Sequence, residues 1–195
     1  MFPPSRVDDT LRQAYRPRPA RGGSLRPMRN PGKKQRVDPG PGRESVWDYP
    51  RPPRVERTSA RIEVRFGGRL IVSTDDAVRV LETSHPPVYY LPIDAFAPGV
   101  LVPVDGSTHC EFKGAASYFD VVAGSARSPR GAWTYPTPVR GYEDLSTRAA
   151  LYPSRMDECT VDGERVQAQE GDFYGGWITA AIVGPFKGGA GTWGW

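Results

Sequence analysis

The sequence predicts a mostly β protein: one small antiparallel β domain over residues 47–195, preceded by a disordered basic arm over residues 1–46. Three observations predict it. Glycine (22) and proline (21) are both used well above average, while the hydrophobic fraction is 38% and aromatics reach 11%, a balance that favours turns and short strands over long helices. Several short runs alternate polar and apolar residues and are punctuated by Gly or Pro pairs, the period of half-buried strands. The positive charge is gathered at one end. Residues 1–46 hold eleven Lys and Arg against four Asp and Glu, and the remainder is net negative although the whole chain carries +4.

In the arm the apolar residues Leu11, Tyr15, Leu25 and Val37 stand isolated among Arg, Pro and Gly. Such a segment buries too little surface to offset its ordering entropy. Arg16, Arg18, Arg21, Lys33, Lys34 and Arg36 suit a salt-sensitive contact with phosphates, so nucleic acid is a weak candidate partner, and a solubilising tail is the bland alternative. No apolar run approaches the ~20 residues of a membrane helix, and the N-terminus has no apolar segment like that of a secretory signal. A soluble, cytoplasmic protein with no membrane partner is the expectation.

Order is expected from Trp47. Arg61 to Phe66 alternates strictly, Gly67-Gly68 supplies a turn and Leu70-Ile71-Val72 returns, which predicts a hairpin. Asp75 to Thr83 mixes a helix-like start with β-branched Val78, Val80 and Thr83, and the strand is preferred because Ser84-His85-Pro86-Pro87 is a turn with the extended Val88 to Leu91 beyond it. Val100 to Val104 and Ala116 to Val122 predict two further strands. A polar loop is expected from Ala123 to Gly131, and one or two helical turns from Asp144 to Ala150. Val161 to Glu164 reads as a hairpin turn. The WxYPxP spelling of residues 47–52 recurs at 133–138, which suggests two aromatic-proline arms on equivalent sheet edges. From Gly171 to Trp195, six large aromatics including Trp177 and Trp195 lie among eight glycines, so this end is expected to wrap the sheet.

Chemistry is densest from Ser107 to Tyr118, where His109, Cys110, Glu111 and Lys113 crowd ahead of a strand. The stretch is expected on a loop and the first turn of that strand, where a rigid sheet can aim it. Lys113 beside Gly114 and two alanines puts a long cation next to bare backbone, which an anionic or planar ligand could approach. Cys110 lies near enough to that cation for thiolate to be favoured, although a free Cys is also an ordinary core residue. Cys110 and Cys159 are expected to be free thiols. With His85 and His109 they lack the CxxC or HxxxH spacing that closes a zinc site, so no metal and no cofactor is expected. Adjacent Cys110 and His109 point to opposite faces of extended backbone, which leaves His85 as the better base for a Cys110 nucleophile. Lys187-Gly188-Gly189-Ala190-Gly191-Thr192 resembles the opening of a phosphate loop but lacks both the Lys before Thr and room for the helix that such loops need. Phe186-Lys187-Gly188 repeats Phe112-Lys113-Gly114.

Three blocks in order, Val88-Tyr89-Tyr90-Leu91-Pro92 preceded by Glu82, Cys110 to Tyr118, and Ala132-Trp133-Thr134-Tyr135-Pro136, resemble the signature of an uncharacterised family, number four-two-seven among domains of unknown function, sometimes labelled nucleotidyltransferase-like. The resemblance spans about Trp47 to Trp195. It implies a small, mostly β domain similar to the tent-like sheets of the Mss-four type, whose zinc-binding relatives use cysteine pairs absent here. It brings no established reaction, and the paired Asp that would hold Mg²⁺ for nucleotide transfer is not found. Its motif residues map to Glu82, Tyr89, Tyr90, Cys110, Lys113, Gly114, Tyr118, Trp133 and Tyr135.

The expectation from residues and resemblance together is a binding domain for an unknown small molecule. Lys113 and the amides at Gly114 receive an anionic group, Glu82 orients or neutralises the lysine, and Tyr89, Tyr90, Tyr118, Trp133 and Tyr135, with His85 nearby, make the wall. The alternatives are an enzyme, nucleotidyltransferase-like or using Cys110 or Lys113 with Glu82 as catalytic groups, and an interaction protein using the basic arm on nucleic acid.

Overall fold

A computed structural model of the chain describes residues 36–171, 173–192 and 195. The first 35 residues of the expected arm, with Arg16, Arg18, Arg21, Lys33 and Lys34, lie outside them, as does Trp193. In chain order the strands are β1 (Glu44–Ser45), β2 (Arg54–Thr58), β3 (Ile62–Phe66), β4 (Arg69–Thr74), β5 (Ala77–Leu81), β6 (Val88–Pro92), β7 (Leu101–Cys110), β8 (Gly114–Ala123), β9 (Ala126–Thr134), β10 (Arg148–Leu151), β11 (Glu158–Val161), β12 (Glu164–Arg165), β13 (Gln167–Ala168), β14 (Trp177–Ile178) and β15 (Ile182–Val183). The fold is mostly β, as expected, and the described residues contain short 3-10 turns but no α-helix.

Seven strands form one sheet in the order β2-β5-β6-β10-β9-β8-β7, and four form a second in the order β12-β11-β3-β4. All pairings within them are antiparallel. Neither sheet closes into a barrel. The β3–β4 hairpin turns on Gly67 and Gly68, both at positive φ (58° and 72°), the conformation a two-residue hairpin loop of this hand requires. Gly67 also needs to be small, because a Cβ there would stand 2.7 Å from the Ala123 carbonyl oxygen.

The pleat divides the large sheet into two faces. On one, Tyr89, Leu91, Val121, Ala132, Ala149 and Leu151 pack with Ile62, Val64, Phe66 and Ile71 of the smaller sheet, making the main core. On the other, Val78, Val80, Tyr90, Ala116, Trp133 and Ala150 form a second apolar cluster with Tyr135, Tyr142 and Leu145. Neighbours in sequence therefore part company: Tyr89 from Tyr90, Ala132 from Trp133, Ala149 from Ala150.

Order begins earlier than Trp47. Glu44–Ser45 pairs in parallel with Ile182–Val183, Val46 is fully buried, and Arg36 forms an ion pair with Asp48. Part of the C-terminal stretch packs onto the sheets, while Phe173 stands 74% exposed. Trp177 is completely buried in the main core, 5.1 Å from the Tyr89 ring, its Nε1 without a hydrogen-bond partner among the described residues.

Four expectations need correction. Ser107–Cys110 belongs to β7 and Gly114–Tyr118 to β8, so the dense stretch is the tip of a long hairpin with Glu111, Phe112 and Lys113 as its turn. Its polar residues sit on an edge strand, where Ser107, Thr108 and His109 are exposed. The expected loop at 123–131 is mostly β9, reached by a turn at Gly124-Ser125. The polar residues there find partners across the strands, Arg127 Nε donating to Asp120 Oδ2 at 2.7 Å, and Pro129 falls where the pairing register shifts, a position strands tolerate for proline. Of the helical turns expected at 144–150, only Glu143–Leu145 is a 3-10 turn; Arg148–Leu151 is an interior strand buried along its whole length, so it shows no alternation. The two WxYPxP segments are not equivalent. Trp47 Nε1 donates to the Pro185 carbonyl at 2.9 Å, whereas Trp133 lies within β9.

Candidate functional site

The second apolar face of the large sheet carries a cavity of ≈ 470 Å³. One wall is the sheet itself, through Tyr90 of β6, Ala116 and Tyr118 of β8, Trp133 of β9 and Tyr135 just beyond it. A second wall is the tip of the β7–β8 hairpin, from Cys110 to Lys113, and a third is the C-terminal segment, with Gln169, Tyr174, Gly175 and Lys187. Two close packings hold that third wall down. A Cβ on Gly175 would lie 2.3 Å from Trp133 Cη2, and one on Gly176 would meet Gln169 Oε1 at the same separation, 2.3 Å.

Of the residues singled out from the sequence, His85, Tyr90, Cys110, Lys113, Tyr118, Trp133, Tyr135 and Glu82 line this cavity. Tyr89 and Gly114 do not. Tyr89 points through the pleat to the opposite face and packs in the main core. Gly114, at φ 96°, serves the turn: a Cβ there would meet Val139 and Thr137 rather than the cavity.

Lys113 is only 9% exposed. Its carbonyl accepts from Val139 N at 3.1 Å, which fixes the turn, and its Nζ lies 5.8 Å from the Tyr135 ring centroid. No Asp or Glu side chain stands within 4.0 Å of that ammonium among the described residues. The expected partner Glu82 is turned elsewhere. Its Oε1 pairs with Arg51 Nη2 at 3.5 Å, and the same guanidinium lies 3.5 Å from Glu111 Oε1 and 5.5 Å from the Phe112 ring centroid. Glu82 therefore balances Arg51, not Lys113, and a shared cation already bridges the two carboxylates of the cavity.

The aromatic wall is internally braced. Trp133 Nε1 donates to the Tyr90 hydroxyl at 3.1 Å, the Trp133 and Tyr152 rings lie 4.5 Å apart, and the Tyr90 and Tyr135 rings 6.3 Å apart. The Tyr118 hydroxyl and Thr108 Oγ1 share a hydrogen bond of 2.7 Å, while the Arg130 guanidinium covers the Tyr118 ring at 3.7 Å. Burial pushes the Tyr90 and Tyr135 phenols far up, so both remain protonated and able to donate.

His85 is 7% exposed. Its Nδ1 lies 2.9 Å from the Thr83 carbonyl oxygen, and because a carbonyl only accepts, Nδ1 carries the proton and Nε2 is the bare acceptor in the neutral ring. Burial pulls its pKa below the usual 6.5, Lys187 and Arg51 adding to the effect against Glu82. Cys110 is half-buried in the cavity wall, and no hydrogen bond joins it to His85 among the described residues. Cys159 is buried in the core between the sheets, where burial pushes its thiol far up. The two thiols belong to different sheets and are free. No group of three His, Cys, Asp or Glu suited to a metal ion occurs among the described residues, and no helix there is long and apolar enough to cross a membrane.

Sequence reasoning missed Arg51, Tyr152, Tyr174 and Lys187 as cavity residues. Only Lys187 had a usable signal, its place in a tripeptide that repeats the one around Lys113.

A family model described as Domain of unknown function (DUF427) matches residues 54–162. The chain belongs to this family. The match runs from β2 to the turn after β11, narrower than the span suggested by the sequence blocks, so the DUF427 region supplies the sheet wall and the hairpin wall while Gln169, Tyr174, Gly175 and Lys187 fall outside it. No curated protein matches the chain.

Proposed function

We propose that this DUF427 domain binds a small molecule in the cavity, receiving an anionic group on Lys113 and laying a planar or apolar body against Tyr90, Trp133, Tyr135 and Tyr152. The observation that carries this reading is the placement of Lys113, a residue only 9% exposed whose side chain lines an aromatic-walled hollow with no carboxylate within 4.0 Å of its ammonium among the described residues. An ammonium with no carboxylate beside it keeps its donors for a charge-assisted hydrogen bond, which an anionic ligand supplies when bound. The volume of ≈ 470 Å³ falls in the range of small-molecule sites, and a few polar groups on apolar walls are their usual make-up. His85 Nε2 and the Tyr135 hydroxyl supply an acceptor and a donor with which to orient the ligand.

Native mass spectrometry of the freshly purified full chain tests it. A retained small molecule is expected on the wild type and absent from Lys113→Ala at an unchanged circular dichroism spectrum. Equal retention by both proteins, or no retention together with no saturable binding of benzoate, would overturn the proposal.

A second reading, an enzyme with Cys110 as nucleophile, is favoured by one observation: that thiol lines the same cavity. Thiol labelling against pH decides it, since Cys110 titrating near the free value of ~8.5, or not reacting at all, removes the nucleophile.

A further inference from the structure

The tripeptide Phe-Lys-Gly occurs at 112–114 and again at 186–188, and the fold carries both lysines to one cavity. They arrive from different walls, Lys113 from the turn between β7 and β8 and Lys187 from the segment after β15. The two placements share their local geometry. Each lysine precedes a glycine at positive φ, 96° at Gly114 and 124° at Gly188, conformations that side-chain-bearing residues rarely adopt. Each ammonium also stands by a tyrosine of its own, Lys113 Nζ 5.8 Å from the Tyr135 centroid and Lys187 Nζ 6.0 Å from that of Tyr174.

The backbone at Lys187 is pinned at both ends: its N donates to the Ser84 carbonyl at 2.8 Å, and its carbonyl accepts from Gln169 Nε2 at 2.5 Å. The side chain is thus launched from a fixed point. Its ammonium donates to the main-chain oxygen of Trp195 at 2.7 Å, which leaves two of its three donors. No Asp or Glu side chain stands within 4.0 Å of it among the described residues, and the cavity carboxylates Glu82 and Glu111 are engaged with Arg51.

We propose that Lys113 and Lys187 form a two-point clamp, and that the ligand is a doubly anionic molecule, a dicarboxylate or a phosphorylated acid, with a planar or apolar body between its charged groups. The clamp rests on the reading of the cavity as a ligand site. Lys187 keeps two donors beside its bond to the Trp195 oxygen, and a ligand with a single anion engages one lysine and leaves the other. A ligand with an anion for each ammonium converts both into charge-assisted hydrogen bonds. The repeated tripeptide then has a physical account: the same lysine-glycine turn is used twice, once on each wall.

Isothermal titration of the full chain with benzoate, the three benzene dicarboxylates and 4-phosphonobenzoate tests the clamp. At least one dianion is expected to bind about tenfold or more tighter than benzoate, the increment of one charged hydrogen bond. The phosphonate arm shows whether carboxylate or phosphate chemistry is preferred at the second point. Lys187→Gln should bring the dianion down to about the benzoate level, weakening the dianion far more than benzoate, Lys187→Arg should restore the advantage, and a thermal melt of each variant checks the fold. Lys113-dependent benzoate binding with no dianion advantage, or an equal loss of both probes in Lys187→Gln, would overturn the clamp and leave the single-anion reading standing. Absence of binding by every probe would overturn the clamp, and together with no small molecule retained in the mass spectrum it would overturn the single-anion reading as well.

Discussion

Replacing Lys113 with methionine separates a binding lysine from an architectural one. Methionine keeps the length and most of the packing of the lysine stem but removes the ammonium. Two opposing effects follow from the structure. The contact with the Tyr135 ring, 5.8 Å from Nζ to the centroid, is lost at a cost of about 0.5–1 kcal/mol. Against this stands the cost of keeping a cation without a carboxylate partner on a residue that is 9% exposed, a cost that disappears with the ammonium. The net expectation is a change in stability of no more than about 1 kcal/mol, roughly 2–4 °C in Tm for a domain of this size, together with loss of anion binding. Thermal and urea unfolding of the two proteins, each at one ligand-free condition, measure the difference. A fall in stability of more than about 1 kcal/mol in Lys113→Met would refute the reasoning, because it would mean that the ammonium is satisfied within the fold.

Two other outcomes follow from the same geometry. His85 is held neutral by burial, its pKa below the usual 6.5, so the unfolded chain binds the proton more readily than the folded one. Stability is therefore expected to be full above about pH 6.5 and to fall on acidification down to the folded pKa, with a slope that a His85→Gln variant loses over that window; matching pH profiles for variant and wild type would show that His85 contributes nothing. Gly175→Val places a side chain 2.3 Å from the Trp133 ring, and neither the braced indole nor the covering backbone can yield cheaply. It should cost about 1–3 kcal/mol and lift the third wall, read as faster hydrogen exchange from residues 173–177; an unchanged melt would show that this wall is loose.

The main hairpin was legible because Ile62, Val64 and Phe66 alternate against polar neighbours and Gly67-Gly68 leaves little choice of turn. β9 was not, because its polar residues are satisfied across strands, Arg127 by Asp120, and a sequence scan sees only their polarity. β10 was missed for the opposite reason: buried on both faces, Arg148 to Leu151 loses the alternation that marks a strand, and Arg148 is held by the Asp76 carboxylate at 2.8 and 2.9 Å, a partner far off in the chain. At the site, the residue types were legible and the pairings were not. Glu82 lay at a plausible separation from Lys113 in sequence, but the turn at Arg51 brings a second cation to it first.

The sequence alone determined the β class, the antiparallel hairpins and the stretch that carries both a thiol and an ammonium, because period, turn chemistry and composition are local properties of the chain. Only the tertiary structure decided that Tyr90 faces the cavity while Tyr89 is sealed in the core, since alternation says that neighbours differ but not which face lies open. It alone decided that Lys187, far along the chain from Lys113, lines the same hollow, since that placement depends on the parallel pairing of β15 with β1 and the packing of Gly175 on Trp133, contacts between segments that no local pattern connects.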